Sequence, residues 1–224
     1  MQDVISSMIS TSDAIWANIA RAPMRRSPAR ILIIGTEPGA GTTSIAAATA
    51  IGLARNLRVN VRLIEANLKR PAIASDLGLS SKRGLSDVLE GRSKLSECLT
   101  PVSGCPGLSV LPGGTGRTPF PGEFATELAT EVLHEATSEG DYVIIDAPPL
   151  LGHAETRMLL AWVDSAVLVV RAGTTRMDAA KKALRILHES GIPVLGTVLN
   201  RFKSEKVRLK LAGREVEFDL GDVA

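Results

Sequence analysis

Aromatic residues are nearly missing. The 224 residues hold one tyrosine, two tryptophans and four phenylalanines, 3% in all. A core in this chain must therefore be built from Ala, Val, Ile and Leu, within an apolar fraction of 45%. Cysteine is scarce too: Cys98 and Cys105 form no C-x-x-C pair and have no neighbouring histidine. They read as free thiols of a reducing compartment rather than a bridge or a metal site. His134, His153 and His188 are scattered without ligand spacing, which argues against a histidine metal centre. A net charge of +2 lacks the basic excess of a dedicated nucleic-acid binder. The longest nearly unbroken apolar stretch, Ile45 to Ala54, falls short of the roughly 18 residues a bilayer span requires. The opening Met1-Gln-Asp-Val lacks a basic n-region and an apolar h-region, so no signal peptide is expected.

What is present alternates. Apolar runs predict strands at Ile31–Gly35, Val61–Glu65, Leu108–Leu111, Tyr142–Asp146, Ala166–Arg171 and Val194–Asn200. Between them, helices fit Thr43–Leu57, Gly84–Glu90, Gly122–Ser138, Ala154–Trp162 and Met177–Ser190. Runs such as "YVIID" and "AVLVV" are apolar on both faces, as in strands covered on both sides by helices. The alternation predicts an α/β fold of three layers with a mostly parallel central sheet. In such folds ligands sit beyond the carboxyl ends of the strands.

Three segments are expected. Residues 1–30 hold a short amphipathic helix around Asp13–Ala20 and the basic linker "RAPMRRSPAR", either a solvated connector or a contact for anionic lipid. Residues 31–201 form the main domain, and 202–224 a tail. In the tail, Val207, Leu209 and Leu211 alternate with Arg208 and Lys210; Val216, Phe218 and Leu220 alternate with Glu217 and Asp219. The pattern suits a hairpin of one cationic and one anionic strand; the alternative is a solvated tail.

The most informative stretch is "TEPGAGTTS", which follows the first strand and opens an Ala-rich helix. Pro38-Gly39-Ala40-Gly41 lets backbone N–H groups turn inward, and the next helix aims its N-terminus at the same spot. Thr43 or Ser44 offers a hydroxyl to Mg²⁺. A phosphate-binding loop normally carries a lysine where Thr42 stands, so the stretch is either a phosphate site without its charge or a plain turn. Other strand ends favour the former. Glu65 is followed by Asn67, Lys69, Arg70 and Pro71; Asp146 ends "YVIID" with a carboxylate suited to Mg²⁺; Asn200 ends "VLGTVLN" with an amide able to read a purine edge.

From about Asp13 to Arg201 the chain resembles the cytoplasmic module of the bacterial tyrosine kinases of capsular and exopolysaccharide assembly, relatives of the MinD/ParA P-loop ATPases. The matching segments are "EPGAGTTS", "IEANLKRP", "GLSDVLEG", "LSVLPGG", "YVIIDAPPL" and "VLGTVLN". "NLKRP", "GLSDVLEG" and "LPGG" favour the polysaccharide branch over MinD/ParA. The resemblance implies a P-loop NTPase fold and ATP or ADP with Mg²⁺. Pro38, Gly39, Ala40, Gly41, Thr42, Thr43 and Ser44 would lie at phosphate, and Asn200 with Arg201 near the base. Thr43 and Asp146 would lie at the metal, with Asp146 and Glu65 in the catalytic positions. Glu155 aligns with the acidic residue after the double proline.

The departures are as specific. Thr42 replaces the loop lysine that holds the β- and γ-phosphates. The two aspartates of the second Walker motif are Glu65 and Asn67, and an arginine is Lys69. The family phosphorylates a C-terminal tyrosine cluster, whereas the single tyrosine here, Tyr142, lies in a strand. The Glu-x-x-Arg-x-x-Arg helix of the family's rings maps to Asp13, Trp16 and Ile19, losing both arginines. Ile15, Trp16 and Ile19 would bury against the chain's own core, or else form a dimer or docking contact.

The resemblance thus implies a regulatory or scaffold subunit of exopolysaccharide biosynthesis and export, for capsule or adhesin, with degraded Walker motifs and a pseudokinase character. Its expected partner is a membrane polysaccharide copolymerase, with no nucleic acid. Its expected location is cytoplasmic, peripheral to the inner membrane through that partner. The alternatives are an active ATPase or autokinase using Lys69, Arg70 or a partner's residue as substitute cation, and a MinD/ParA-like positioning ATPase.

Overall fold

The computed structural model describes residues 15–22, 28–80, 83–115, 124 and 126–201, and the backbone of 206–211 and 214–219. Strand β1 (Ala29–Gly35) lies between β5 (Tyr142–Asp146) and β6 (Ser165–Arg171). Beyond β5 come β2 (Val61–Glu65) and β4 (Leu108–Leu111); beyond β6 comes β7 (Val194–Asn200). These strands run parallel, and a two-residue β3 (Thr100–Pro101) pairs antiparallel with β4 at one edge. The fold is the expected mostly parallel α/β sheet.

The helices are α1 (residues 15–21), α2 (Thr42–Leu57), α3 (Ile73–Asp76), α4 (Leu85–Leu89), α5 (Leu95–Cys98), α6 (Glu127–Ala136), α7 (Ala154–Leu159) and α8 (Met177–Glu189). The two-residue period of β1 divides the core. Ile31 and Ile33 join the α2 side, while Leu32 and Ile34 join the side of α6, α7 and α8. Helix α2 is buried from Ile45 to Ala54. Its alanines let it lie directly on the central strands, which takes the place of the bulk that aromatic residues would supply.

Helix α1 settles on the same side. Ile19 is 1% exposed, and Ile15 and Trp16 pack against the α2 core. A Cβ on Gly52 would meet the Trp16 indole at 2.5 Å, so that glycine makes the seat for the ring. The apolar stripe of α1 is thus used within the chain. Asp13 lies outside the described residues.

The tail strands β8 (Lys206–Leu211) and β9 (Arg214–Asp219) pair antiparallel in a separate sheet. Their register sets Lys206 opposite Asp219, Arg208 opposite Glu217 and Lys210 opposite Glu215. Leu220 lies outside the described residues. Among the described residues no helix is long and apolar enough to cross a membrane.

Candidate functional site

The parallel register brings the strand ends together. Ile33 and Glu65 both stand opposite Asp146, one on each side of β5. The loop after β1 therefore folds over Asp146. Gly39 (φ +83°) and Gly41 (φ +88°) take left-handed backbone conformations there, which a side chain would strain. Gly41 caps α2 without any side-chain bond, and no acidic residue lies in the first turn of that helix. The N-terminal N–H groups of a 16-residue helix are thus left for an external anion.

Thr43 Oγ1 donates to Asp146 Oδ2 at 2.8 Å. The other oxygen, Oδ1, is buried and has no hydrogen-bond partner. Burial pushes the Asp146 carboxyl up to about 8, against the Thr43 hydrogen bond and with help from the charge of Glu65. A divalent cation fits this arrangement, because it would satisfy the orphaned oxygen and hold the carboxylate ionised beside the hydroxyl.

Glu65 is fully buried beside Asp146, but its carboxylate reaches elsewhere. Oε1 accepts the N–H groups of Ala72 (2.5 Å) and Ile73 (2.8 Å), and Oε2 accepts that of Gly113 (2.8 Å). Burial raises its pKa despite the three bonds. Both oxygens of this carboxylate, expected in a catalytic position, are thus engaged with backbone. The extra methylene relative to aspartate carries it to the turn bearing Lys69 and Arg70 and to the "PGG" turn.

The other marked segments meet at the same turn. Leu85 and Ser86 donate their N–H groups to Pro112 and Gly113 (2.7 and 3.0 Å), and Asp87 Oδ2 accepts those of Gly84 and Thr115. A Cβ at Gly84 would collide with the Pro112 carbonyl, so this contact requires glycine. "GLSDVLEG", "LPGG" and Glu65 form one hydrogen-bonded unit behind the cleft.

The cleft, about 360 Å³, runs along the loop from Glu37 to Thr43. Asn67, Lys69 and Arg70 form its second wall, and Ala147, Pro149 and His153 its third. Lys69 Nζ pairs with Glu155 Oε1 at 2.5 Å. Burial would raise Glu155, but the hydrogen bond and charge of Lys69 carry it below the usual range. Ser44 is exposed and Ala40 buried, and neither lines this enclosure.

Asn200 reaches the loop from β7. Its Nδ2 donates to the Ala40 carbonyl at 2.7 Å, and its Oδ1 accepts the N–H of Arg201 at 2.9 Å. One N–H and one lone pair of the amide remain for a ligand. Beside it lies an apolar hollow of about 330 Å³ between α1, α2 and β7, with Ile15, Ile19 and Ile45 on one side and Leu195 and Val198 on the other. Asn200 and Arg201 stand at its rim.

Two residues at the loop escaped the sequence reading. Glu37 carries a buried, unpartnered Oε1. Arg171 ends β6 and lies against Gly39. The available signal for Arg171 was its place at the carboxyl end of a central strand.

No family model matches the chain. Its sequence is 31% identical over 193 residues to the tyrosine-protein kinase YwqD of Bacillus subtilis, covering 86% of this chain and 80% of that protein. It is 26% identical over 171 residues to the tyrosine-protein kinase wzc of Salmonella typhimurium, of which it spans 23%. The VpsO kinase domain superposes with a TM-score of 0.79 at 26% identity, covering 89% of this chain and 96% of that one. MinD of Pyrococcus horikoshii, solved with Mg-ADP, superposes over 78% of this chain and 70% of that one, with a TM-score of 0.67 at 22% identity, a likeness of fold. The chain belongs to the family of bacterial tyrosine-protein kinases.

Proposed function

We propose that this chain is a nucleotide-binding regulatory subunit of exopolysaccharide biosynthesis and export, with the autokinase chemistry of its family lost. The observation that carries the reading is Thr42, a neutral residue in the lysine position, beside an intact Thr43–Asp146 pair at 2.8 Å. Cation-assisted nucleotide binding survives such a change far better than phosphoryl transfer does, because the lost charge serves the transition state most. ATP or ADP would place its phosphates along Pro38 to Ser44, Mg²⁺ at Thr43 and Asp146, and its base towards Asn200, Arg201 and the apolar hollow. The partner would be a membrane polysaccharide copolymerase, and the location the cytoplasmic face of the inner membrane.

Tyr142 supports the loss of autophosphorylation. It is half-buried at the start of β5, four residues before Asp146, so about 13 Å of strand separates it from the loop end of the sheet. The reading of an active enzyme with Lys69 as its substitute cation is disfavoured by the Lys69–Glu155 ion pair, which already occupies that charge. Calorimetry with Mg-ATP and Mg-ADP, followed by phosphotyrosine mass spectrometry after incubation with Mg-ATP, tests the reading. Weak binding that Asp146→Asn weakens further, without phosphotyrosine, is expected. Stoichiometric phosphate on Tyr142 that depends on Asp146 would overturn the reading.

A further inference from the structure

We propose that Arg171 supplies the positive charge that the loop lacks, so that a nucleoside triphosphate is held from the β6 side rather than from within the loop. The proposal rests on the nucleotide-binding reading above and names the cation for it.

Thr42 cannot fill that role. It is neutral, and its Oγ1 packs against the end of β1: a Cβ on Gly35 would stand 2.7 Å from it. The helix N-terminus contributes only about half a unit charge, set against the three to four negative charges of a triphosphate. Lys69, Arg70 and Arg171 are lysine and arginine side chains at the loop and its cleft, where His153 also stands. Lys69 is held by Glu155. Arg70 is exposed on the far wall. Arg171 comes to the loop from beyond the residues that line the cleft: a Cβ on Gly39 would stand 3.7 Å from its Nη1. The guanidinium thus lies over the bare face of a loop glycine, where a larger side chain would compete for its space.

The base of Arg171 is fixed. Its N–H donates to Thr175 Oγ1 at 2.9 Å, and its carbonyl accepts the N–H groups of Thr174 and Thr175 at 3.2 and 2.9 Å. In the sheet it stands opposite Asn200, whose amide holds the adjacent Ala40 carbonyl. Arg171 and Asn200 therefore approach consecutive loop residues from the same side. No carboxylate pairs with Arg171 among the described residues. A planar guanidinium with several N–H donors also suits two phosphate oxygens at once.

The test is calorimetry on the full chain with Mg-ATP, Mg-AMP and inorganic tripolyphosphate. The variants are Arg171→Ala, Arg171→Lys, Arg70→Ala, Thr42→Lys and the double variant Thr42→Lys/Arg171→Ala, each checked for an unchanged melting curve. Arg171→Ala is expected to weaken ATP and tripolyphosphate by about tenfold or more, and AMP by less than about twofold. Arg171→Lys should keep part of the affinity. Thr42→Lys should restore binding in the Arg171→Ala background, so that the two changes are not additive. Unchanged ATP affinity in Arg171→Ala overturns the proposal and leaves the nucleotide reading standing. So does an equal loss for AMP, or a loss seen only with Arg70→Ala. A wild-type chain that binds no ATP overturns the nucleotide reading, and the proposal falls with it.

Discussion

At the scale of the residue, Asp146 and Glu65 divide the labour of two neighbouring carboxylates. Glu65 holds backbone, and Asp146 faces the loop with one oxygen unsatisfied. Both have raised pKa values in the folded state, Asp146 to about 8. The native chain therefore binds more protons than the unfolded chain from the ordinary carboxylate range up to about pH 8. Their contribution to stability is present at low pH and lost as pH rises through that window. Glu155, lowered by Lys69, acts in the opposite sense at the acid end. Urea midpoints measured from pH 5 to 8 without nucleotide should fall with rising pH, and Asp146→Asn should flatten the slope. Added Mg-ATP should restore stability most at the upper end, if the cation keeps the carboxylate ionised. For Glu65, replacement by alanine strands three backbone N–H groups. At about 1–3 kcal/mol for each unsatisfied buried group, with water repairing some of the loss, Glu65→Ala should cost about 3 kcal/mol. Urea denaturation reads that loss, and hydrogen exchange should report opening at Ala72, Ile73 and Gly113 together.

At the scale of the element, legibility followed length. Apolar runs marked the six parallel strands to within two residues; β1, β2, β4, β5 and β6 are buried along most of their length, whereas the edge strand β7 is only partly buried. Helices α3 and α5, four residues each, and the two-residue β3 are too short to display a period, and none was anticipated. The site was legible where it sits at strand ends. The bond from Asn200 to Ala40 spans 160 positions, and no local pattern encodes it. Nor does a pattern show how far a glutamate reaches, so the three backbone N–H groups that Glu65 holds were not legible in the sequence. For α1, Trp16→Ala should cost about 2 kcal/mol, less than a fully buried tryptophan, and raise hydrogen exchange across residues 15–21. Light scattering should show no change of mass, since the stripe packs on α2 of the same chain. Helix α2 ends at Arg58 with φ +55°, where glycine is the usual residue. Arg58→Gly should therefore stabilise by about 1 kcal/mol, read as a shift in the urea midpoint.

At the scale of the whole molecule, the sheet has two unlike margins. One is closed by β3, which runs against its neighbour and stops after two residues. The other is β7, seven residues long and last in the order, with Gly196, Thr197 and Leu199 exposed. Such a margin presents alternate backbone donors and acceptors to whatever extended segment arrives. Among the described residues β7 is thus the long margin without a further strand beside it. A strand laid along β7 would run about 4.8 Å from the backbone of Asn200, the residue that clasps the loop. Lengthening the sheet would then bear on the strand that carries the Asn200 side chain to the loop.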